Sequence, residues 1–183
     1  MSLVEIVATA FGLLCVWLTV RQNIWCWPTG LVMVTLYIYI FYGVRLYSDM
    51  GLQVIYVFLQ IYGWVHWARG GTKEKKLPVT RISRTEALFW VVTAAAAVAA
   101  LGWVMKHKAG AALPYWDAVT TVLSLVAQYL MARKLLESWL VWITVDVLSI
   151  GIYNVKGLHL TAGLYAVFLG LATAGFFAWR RSP

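Results

Sequence analysis

Apolar residues gather in seven runs along this chain, near residues 3–20, 24–44, 51–67, 87–105, 115–131, 139–155 and 160–179. Each approaches the roughly 20 residues that a helix needs to cross a hydrocarbon core. The pattern predicts seven transmembrane helices in an all-α integral membrane protein. One stretch, 69–84, reads as extramembranous, with Gly70, Gly71, Pro78 and a basic run from Lys73 to Lys76. It is too short to fold as a domain, so the functional groups are expected within the helices.

Composition supports this class, because 62% of the 183 residues are hydrophobic and 12% are charged, more apolar surface than a soluble domain can bury. Basic residues near span ends are retained on the cytoplasmic side. One side carries Arg21, Arg69, Lys73, Lys75, Lys76, Arg81, Arg84, Arg133, Lys134, Arg180 and Arg181, eleven of the fifteen; Arg45, Lys106, Lys108 and Lys156 fall on the other. The N-terminus is therefore predicted outside and the C-terminus in the cytoplasm of a multi-pass cell (inner) membrane protein. This bias accounts for the net charge of +8 with no nucleic-acid partner. The first run lacks a basic leader, carries Glu5 and leads straight into a second run, so no signal cleavage is expected. Cys15 and Cys26 read as buried inert thiols, and His66, His107 and His159 sit at run ends without the i, i+4 spacing of a ligand helix. No metal site and no cofactor are expected.

The chain also matches itself at an offset of 112 residues. Glu5 falls on Asp117, Arg21 on Arg133, Trp27 on Trp139, Gly51 on Gly163, Gly63 on Gly175 and Trp67 on Trp179. The predicted organisation is a three-helix repeat over 1–68, a cytoplasmic basic linker over 69–86, a linking fourth helix and outer loop over 87–112, and a second three-helix repeat over 113–183. Three spans plus one returning span start both repeats on the same side, so the repeats are parallel, about an axis along the membrane normal. Two such units enclose a central cleft of the kind that transporters use.

Polar groups within the spans mark that cleft. On the sixth helix Trp139, Trp142, Asp146, Ser149 and Tyr153 stand at i, i+3, i+7, i+10 and i+14, one face of a helix. Asp146 lies roughly 10 Å along the axis from Trp139, and a carboxylate at that depth calls for a partner or a cation. The competing reading makes both tryptophans interfacial belt residues and has Asp146 neutralised by a lysine or by protonation. On the third helix Gln53, Tyr56, Gln60, Trp64 and Trp67 form a second stripe that offers amides beside aromatic planes. Such groups hold a heterocycle by stacking and hydrogen bonding, although interhelical bonding of the glutamines is the alternative. Trp142 and Asp146 fall on Gly30 and Val34 at the repeat offset, so the constellation exists in one half only. Glu5 and Asp117 read as carboxylates at helix N-termini, with a cation-attracting vestibule as the other reading. An intramembrane enzyme would need a second catalytic group beside Asp146, and no G-x-S-x-G or H-E-x-x-H sequence occurs. The chain is read as a non-enzyme; a membrane scaffold whose stripes bind a partner helix is the remaining class.

Taken together, Trp27-Pro28, Leu52-Gln53, Ile61-Tyr62-Gly63-Trp64, Trp67, Trp116-Asp117, Trp139-x-x-Trp142-x-x-x-Asp146 and Lys156-Gly157-Leu158 ahead of Leu160-Thr161-Ala162 resemble the PnuC family of vitamin transporters over nearly the whole chain. The resemblance implies a three-plus-one-plus-three facilitator of a vitamin precursor, chiefly nicotinamide riboside, with relatives for thiamine or riboflavin. It implies passive uptake, trapped by a cytoplasmic kinase that phosphorylates the vitamin, and leaves a homo-oligomer open. Trp139, Trp142 and Asp146, with Gln53 and Gln60, become the expected substrate contacts, flanked by Tyr56, Ser149 and Tyr153. The tryptophans would stack on the ring, with cation–π attraction for a pyridinium or thiazolium. Nicotinamide-riboside members carry asparagine where this chain has Asp146. An ionised aspartate only accepts hydrogen bonds, which makes thiamine the close alternative.

Overall fold

The computed structural model describes residues 3–43, 45, 47–70, 77–109 and 113–182; the linker run from Lys73 to Lys76 lies outside them. Seven α-helices occupy the described residues: α1 (Leu3–Val20), α2 (Cys26–Gly43), α3 (Tyr47–Arg69), α4 (Arg84–Val104), α5 (Pro114–Ala132), α6 (Ser138–Val155) and α7 (His159–Arg180). Each holds one of the seven apolar runs. Five of them, all but α3 and α5, are long and apolar enough to cross a membrane by length and composition alone. The other two are diluted by polar groups, Asp49, Gln53 and Gln60 on α3 and Asp117, Thr120, Thr121, Ser124 and Gln128 on α5. Outward aliphatic and aromatic faces remain, as on α4, where Leu88, Phe89, Val91 and Val92 are each at least 60% exposed. Surface of that kind is stable against lipid and not against water.

Consecutive helices α1–α2–α3 and α5–α6–α7 pack in two groups, α1 meets α7, α3 meets α5, and α4 leans on α5. The turns repeat at the 112-residue offset. Gln22 and Lys134 both have positive φ, 52° and 60°, and Arg45 and Gly157 follow with 61° and 74°. After α1, the Gln22 and Asn23 amides donate to the Thr19 and Leu18 carbonyls; after α5, the Lys134 and Leu135 amides donate to Met131 and Leu130. This is the left-handed C-terminal cap that satisfies the last carbonyls of a helix.

The core sits at the end of the bundle that carries most of the basic residues. Trp27 meets Trp67 edge-on at 5.3 Å and 84°, Trp139 meets Trp179 at 5.3 Å and 88°, and Trp67 and Trp179 touch each other at 5.8 Å. The Trp67 indole donates to the Met131 carbonyl at 3.4 Å, and the Trp179 indole to the Thr19 carbonyl at 3.0 Å. Thr19 and Met131 are again 112 apart, so each half ties its third helix to the first helix of the other.

Linker residues 77–83 are strapped to the α5–α6 turn. Thr80 pairs with Leu135 in a short parallel bridge, the Ile82 amide donates to Glu137 Oε2 at 3.0 Å, and Arg133 pairs with Glu86. Lys134, 1% exposed, donates through Nζ to the Leu77 carbonyl and lies 4.7 Å from the Trp67 ring centre, a cation–π contact that caps the core. Ser83 then starts α4 by accepting from the Glu86 amide.

Trp179→Ala empties the centre of this core and is expected to cost about 3–5 kcal/mol, seen as a lower unfolding temperature in detergent. Trp103→Ala, at a ring 53% exposed on α4, is expected to leave that temperature nearly unchanged.

Candidate functional site

Above the tryptophan core the two groups of helices enclose a cavity of about 720 Å³, within the size range of small-molecule sites. Trp139, Trp142, Asp146, Ser149 and Tyr153 from α6 and Gln53, Tyr56 and Gln60 from α3 all line it. The two stripes therefore face one space, as helical periodicity requires when the bundle closes around them.

Their surroundings differ. Asp146 is 4% exposed and makes no hydrogen bond or ion pair among the described residues. No lysine among the described residues pairs with it. Trp142 is half-buried and leaves part of its ring to the cavity. Trp139 departs from the belt reading: it is 1% exposed and sits inside the bundle against Trp179, so it is no marker of the membrane interface. Gln60, 4% exposed, makes no hydrogen bond among the described residues, so the interhelical alternative finds no partner for it there. Trp64 of the same stripe is 40% exposed and does not line the cavity. The Tyr56 hydroxyl donates to Ser124 Oγ at 2.6 Å, and Ser124 in turn to the Thr121 carbonyl at 2.9 Å. Tyr153 stacks on Tyr165 of α7 at 5.3 Å and 21°.

Several lining residues were not anticipated. On α5, Thr120, Thr121, Ser124 and Gln128 line the cavity together with Asp117, at i+3, i+4, i+7 and i+11 from it. The same periodicity that exposed the other stripes marks this one. Tyr165 has no comparable signal, standing among apolar neighbours on α7. Cys15 and Cys26, read as inert buried thiols, are reduced and also line the wall, Cys15 donating to the Cys26 carbonyl at 3.1 Å. At the end of the cavity away from the tryptophan core, Lys156 Nζ bonds both Asp117 oxygens, at 2.9 and 3.3 Å. Asp117 thus pairs across to the end of α6 while sitting in the first turn of α5. The lining holds three carboxylates, Asp49, Asp117 and Asp146, against the one ammonium of Lys156, an acidic balance that favours a cationic solute.

A protein family described as "Nicotinamide mononucleotide transporter" matches residues 2–181. The chain belongs to this family of membrane transporters. The nicotinamide riboside transporter PnuC of Escherichia coli K12 is 31% identical, with 100% of this chain and 87% of that protein covered. The riboflavin/roseoflavin transporter RibM of Streptomyces davaonensis is 29% identical over 96% of this chain and 83% of its own length. A crystal structure of the vitamin B3 transporter PnuC superposes with a TM-score of 0.74 at 30% identity, covering 96% of this chain and 79% of that one. The fold and transporter class of this family member rest on these likenesses together with the helices described above.

The Asp117–Lys156 pair is partly exposed, with side-chain accessibilities of 24% and 30%, and such pairs contribute little. Asp117→Asn is expected to change unfolding free energy by less than about 1 kcal/mol, measured by denaturation in detergent.

Proposed function

We propose that this family member carries a cationic, ring-bearing vitamin precursor across the membrane, with nicotinamide riboside as the leading substrate, by exposing the central cavity alternately to either side. The observation that carries this reading is Asp146, a buried carboxylate that makes no hydrogen bond or ion pair among the described residues, beside the partly open ring of Trp142 in an acidic cavity. An unpaired charge inside a span is costly, and a pyridinium stacked on Trp142 with its carboxamide or ribose donating to Asp146 relieves the cost. The acidic lining does not suit a phosphorylated ligand. In this reading Gln53 and Tyr56 fix the polar edge of the ring, and Ser149 and Tyr153 shape the wall beyond Asp146.

Transport is passive in this proposal, with the vitamin opposite Asp146 and Lys156 opposite Asp117. A kinase on the cytoplasmic side, the side that the bias of basic residues supports for the C-terminus, retains the solute by adding a phosphate. Enzymatic chemistry finds little support, because Asp146 has no hydrogen-bonded acid or base beside it among the described residues.

Thiamine is the second reading, and Asp146 favours it: its aminopyrimidine presents an amino group and its thiazolium a positive charge, both matched to a carboxylate acceptor.

Asp146→Ala and Trp142→Ala are each expected to weaken vitamin binding at least about tenfold, the scale of a charge-assisted contact, with the folded state kept in detergent. Wild-type affinity in both variants would remove the site. Asp146→Asn discriminates the substrates: it is expected to retain nicotinamide riboside and lose thiamine, read by calorimetry with each vitamin. Liposome uptake of both labelled vitamins, with and without an enclosed kinase, tests the transport step; accumulation above the outside concentration without the kinase would refute a passive mechanism.

A further inference from the structure

At the floor of the cavity lie polar groups that neither the fold nor the ring-binding wall uses. Trp27 Nε1, Trp139 Nε1 and Gln60 Oε1 are fully buried and have no hydrogen-bond partner, in residues 2%, 1% and 4% exposed that all line the cavity. Buried donors and acceptors are nearly always satisfied, by protein, water or ligand. The other two tryptophans of the core, Trp67 and Trp179, do find backbone carbonyls, so among these four the orphaned indoles are those of Trp27 and Trp139. Gln128 on α5, one helical turn before Met131, lines the same space, and its amide too makes no hydrogen bond among the described residues.

Each of the three orphans is seated on a glycine that permits its position. A Cβ at Gly63 would come 2.1 Å from the Trp27 ring, one at Gly30 would come 2.3 Å from the Gln60 amide nitrogen, and one at Gly175 would come 2.6 Å from the Trp139 ring. These approaches are impossible for any larger residue without displacing the polar group. Three glycines thus hold two indole donors and one amide oxygen unpaired at the bottom of the cavity, with the half-buried Gln128 on the same lining.

We propose that this floor is a second subsite, distinct from the Trp142–Asp146 wall, which takes the hydroxylated tail of the substrate. A hydroxyl donates and accepts at once, so a ribosyl or hydroxyalkyl chain can accept from the Trp27 and Trp139 indoles while donating to Gln60 and Gln128. An unsubstituted aromatic base leaves the three buried orphans unpaired. The subsite rests on the vitamin reading above and assigns to Trp27, in the first half of the chain, a role as a substrate contact. Gly30 becomes a positioning residue that acts through Gln60.

The test compares ligands with and without the tail on purified full-length protein in detergent. Nicotinamide riboside is titrated against nicotinamide, and thiamine against its analogue lacking the hydroxyl group, in the wild type, Trp27→Phe and Gln128→Leu. Phenylalanine keeps most of the Trp27 packing and removes its N–H. Each variant is expected to bind the tailed vitamin on the order of fivefold more weakly, the scale of one neutral hydrogen bond, with the affinity for the tail-less partner unchanged. Equal losses for both ligands, or no loss for either, overturn the subsite. Gly30→Ala in a Gln60→Ala background is expected to add nothing to the loss from Gln60→Ala alone; an additive loss shows that Gly30 acts on packing and overturns its positioning role. Lack of wild-type binding to both vitamins refutes the substrate reading itself, an outcome separate from any variant result.

Discussion

Two indole hydrogen bonds, Trp67 to the Met131 carbonyl and Trp179 to the Thr19 carbonyl, hold the halves of this molecule together. Between helices in lipid there is no hydrophobic drive to associate, so close packing and interhelical hydrogen bonds have to supply the cohesion. The tryptophans provide both. Their rings interlock at the end of the bundle where α1, α3, α5 and α7 finish, and each bonded carbonyl accepts the indole beside the amide of its own helix cap. Because the halves are clamped at that end, the space above can remain a cavity. The strap of residues 77–83 reinforces the clamp on one half, through Lys134 and Glu137. Their counterparts at the 112-residue offset, Gln22 and Trp25, offer neither the ammonium nor the carboxylate that the strap uses.

The left-handed turns, the edge-on tryptophan pairs and the indole bonds recur at the 112-residue offset, while the cavity lining does not. Pairing lining residues at the 112-residue offset sets Thr120 against Ala8, Ser124 against Gly12, Gln128 against Val16 and Asp146 against Val34, while Gln60 stands against Ala172. Polar groups therefore concentrate on α3, α5 and α6, which are contiguous through the α3–α5 and α5–α6 contacts, and apolar groups on α7, α1 and α2, contiguous in the same way. The cavity has a polar hemisphere and a greasy one. A solute with one charged or hydroxylated edge enters such a space in one orientation, which a symmetric lining could not impose. The exchange of Gly30 and Gln60 for Trp142 and Ala172 shows how little the frame has to change: each half fills the gap between its second and third helices with one large side chain, taken from opposite helices.

Much of this was legible in the residues. The seven apolar runs foretold the helices to within a few residues, because hydrocarbon crossing demands length and apolarity that few other structures need. Periodicity brought the α3 and α6 stripes to one cavity for the same geometric reason. It would have found Asp117 to Gln128 on α5 as well, had hydroxyls been weighed alongside amides and carboxylates. The role of Trp139 was harder to see, since a tryptophan at a helix end fits the membrane interface and the bundle core equally; the space at Gly175 that admits its ring depends on packing between distant segments. Likewise nothing local in Leu77 to Ser83 announces a strap, because its partners on the α5–α6 turn lie more than fifty residues away.

Asp146 gains meaning from this arrangement. A carboxylate unpaired in the empty cavity raises the free energy of the unliganded state, and a ligand that satisfies it recovers that difference on binding. For a carrier this is useful only within limits, since a solute held too tightly would not leave on the far side. In the proposed reading Asp146 is the carboxylate beside the aromatic wall, with a floor of neutral donors and amides below it, so the attraction at the ring comes from one charge. The other cavity carboxylate with a defined partner, Asp117, is already committed to Lys156 and so adds little to that hold. On the proposed reading, the ring wall and the neutral floor would suit any hydroxylated heterocycle, and the residue at position 146 would set how much positive charge the site tolerates.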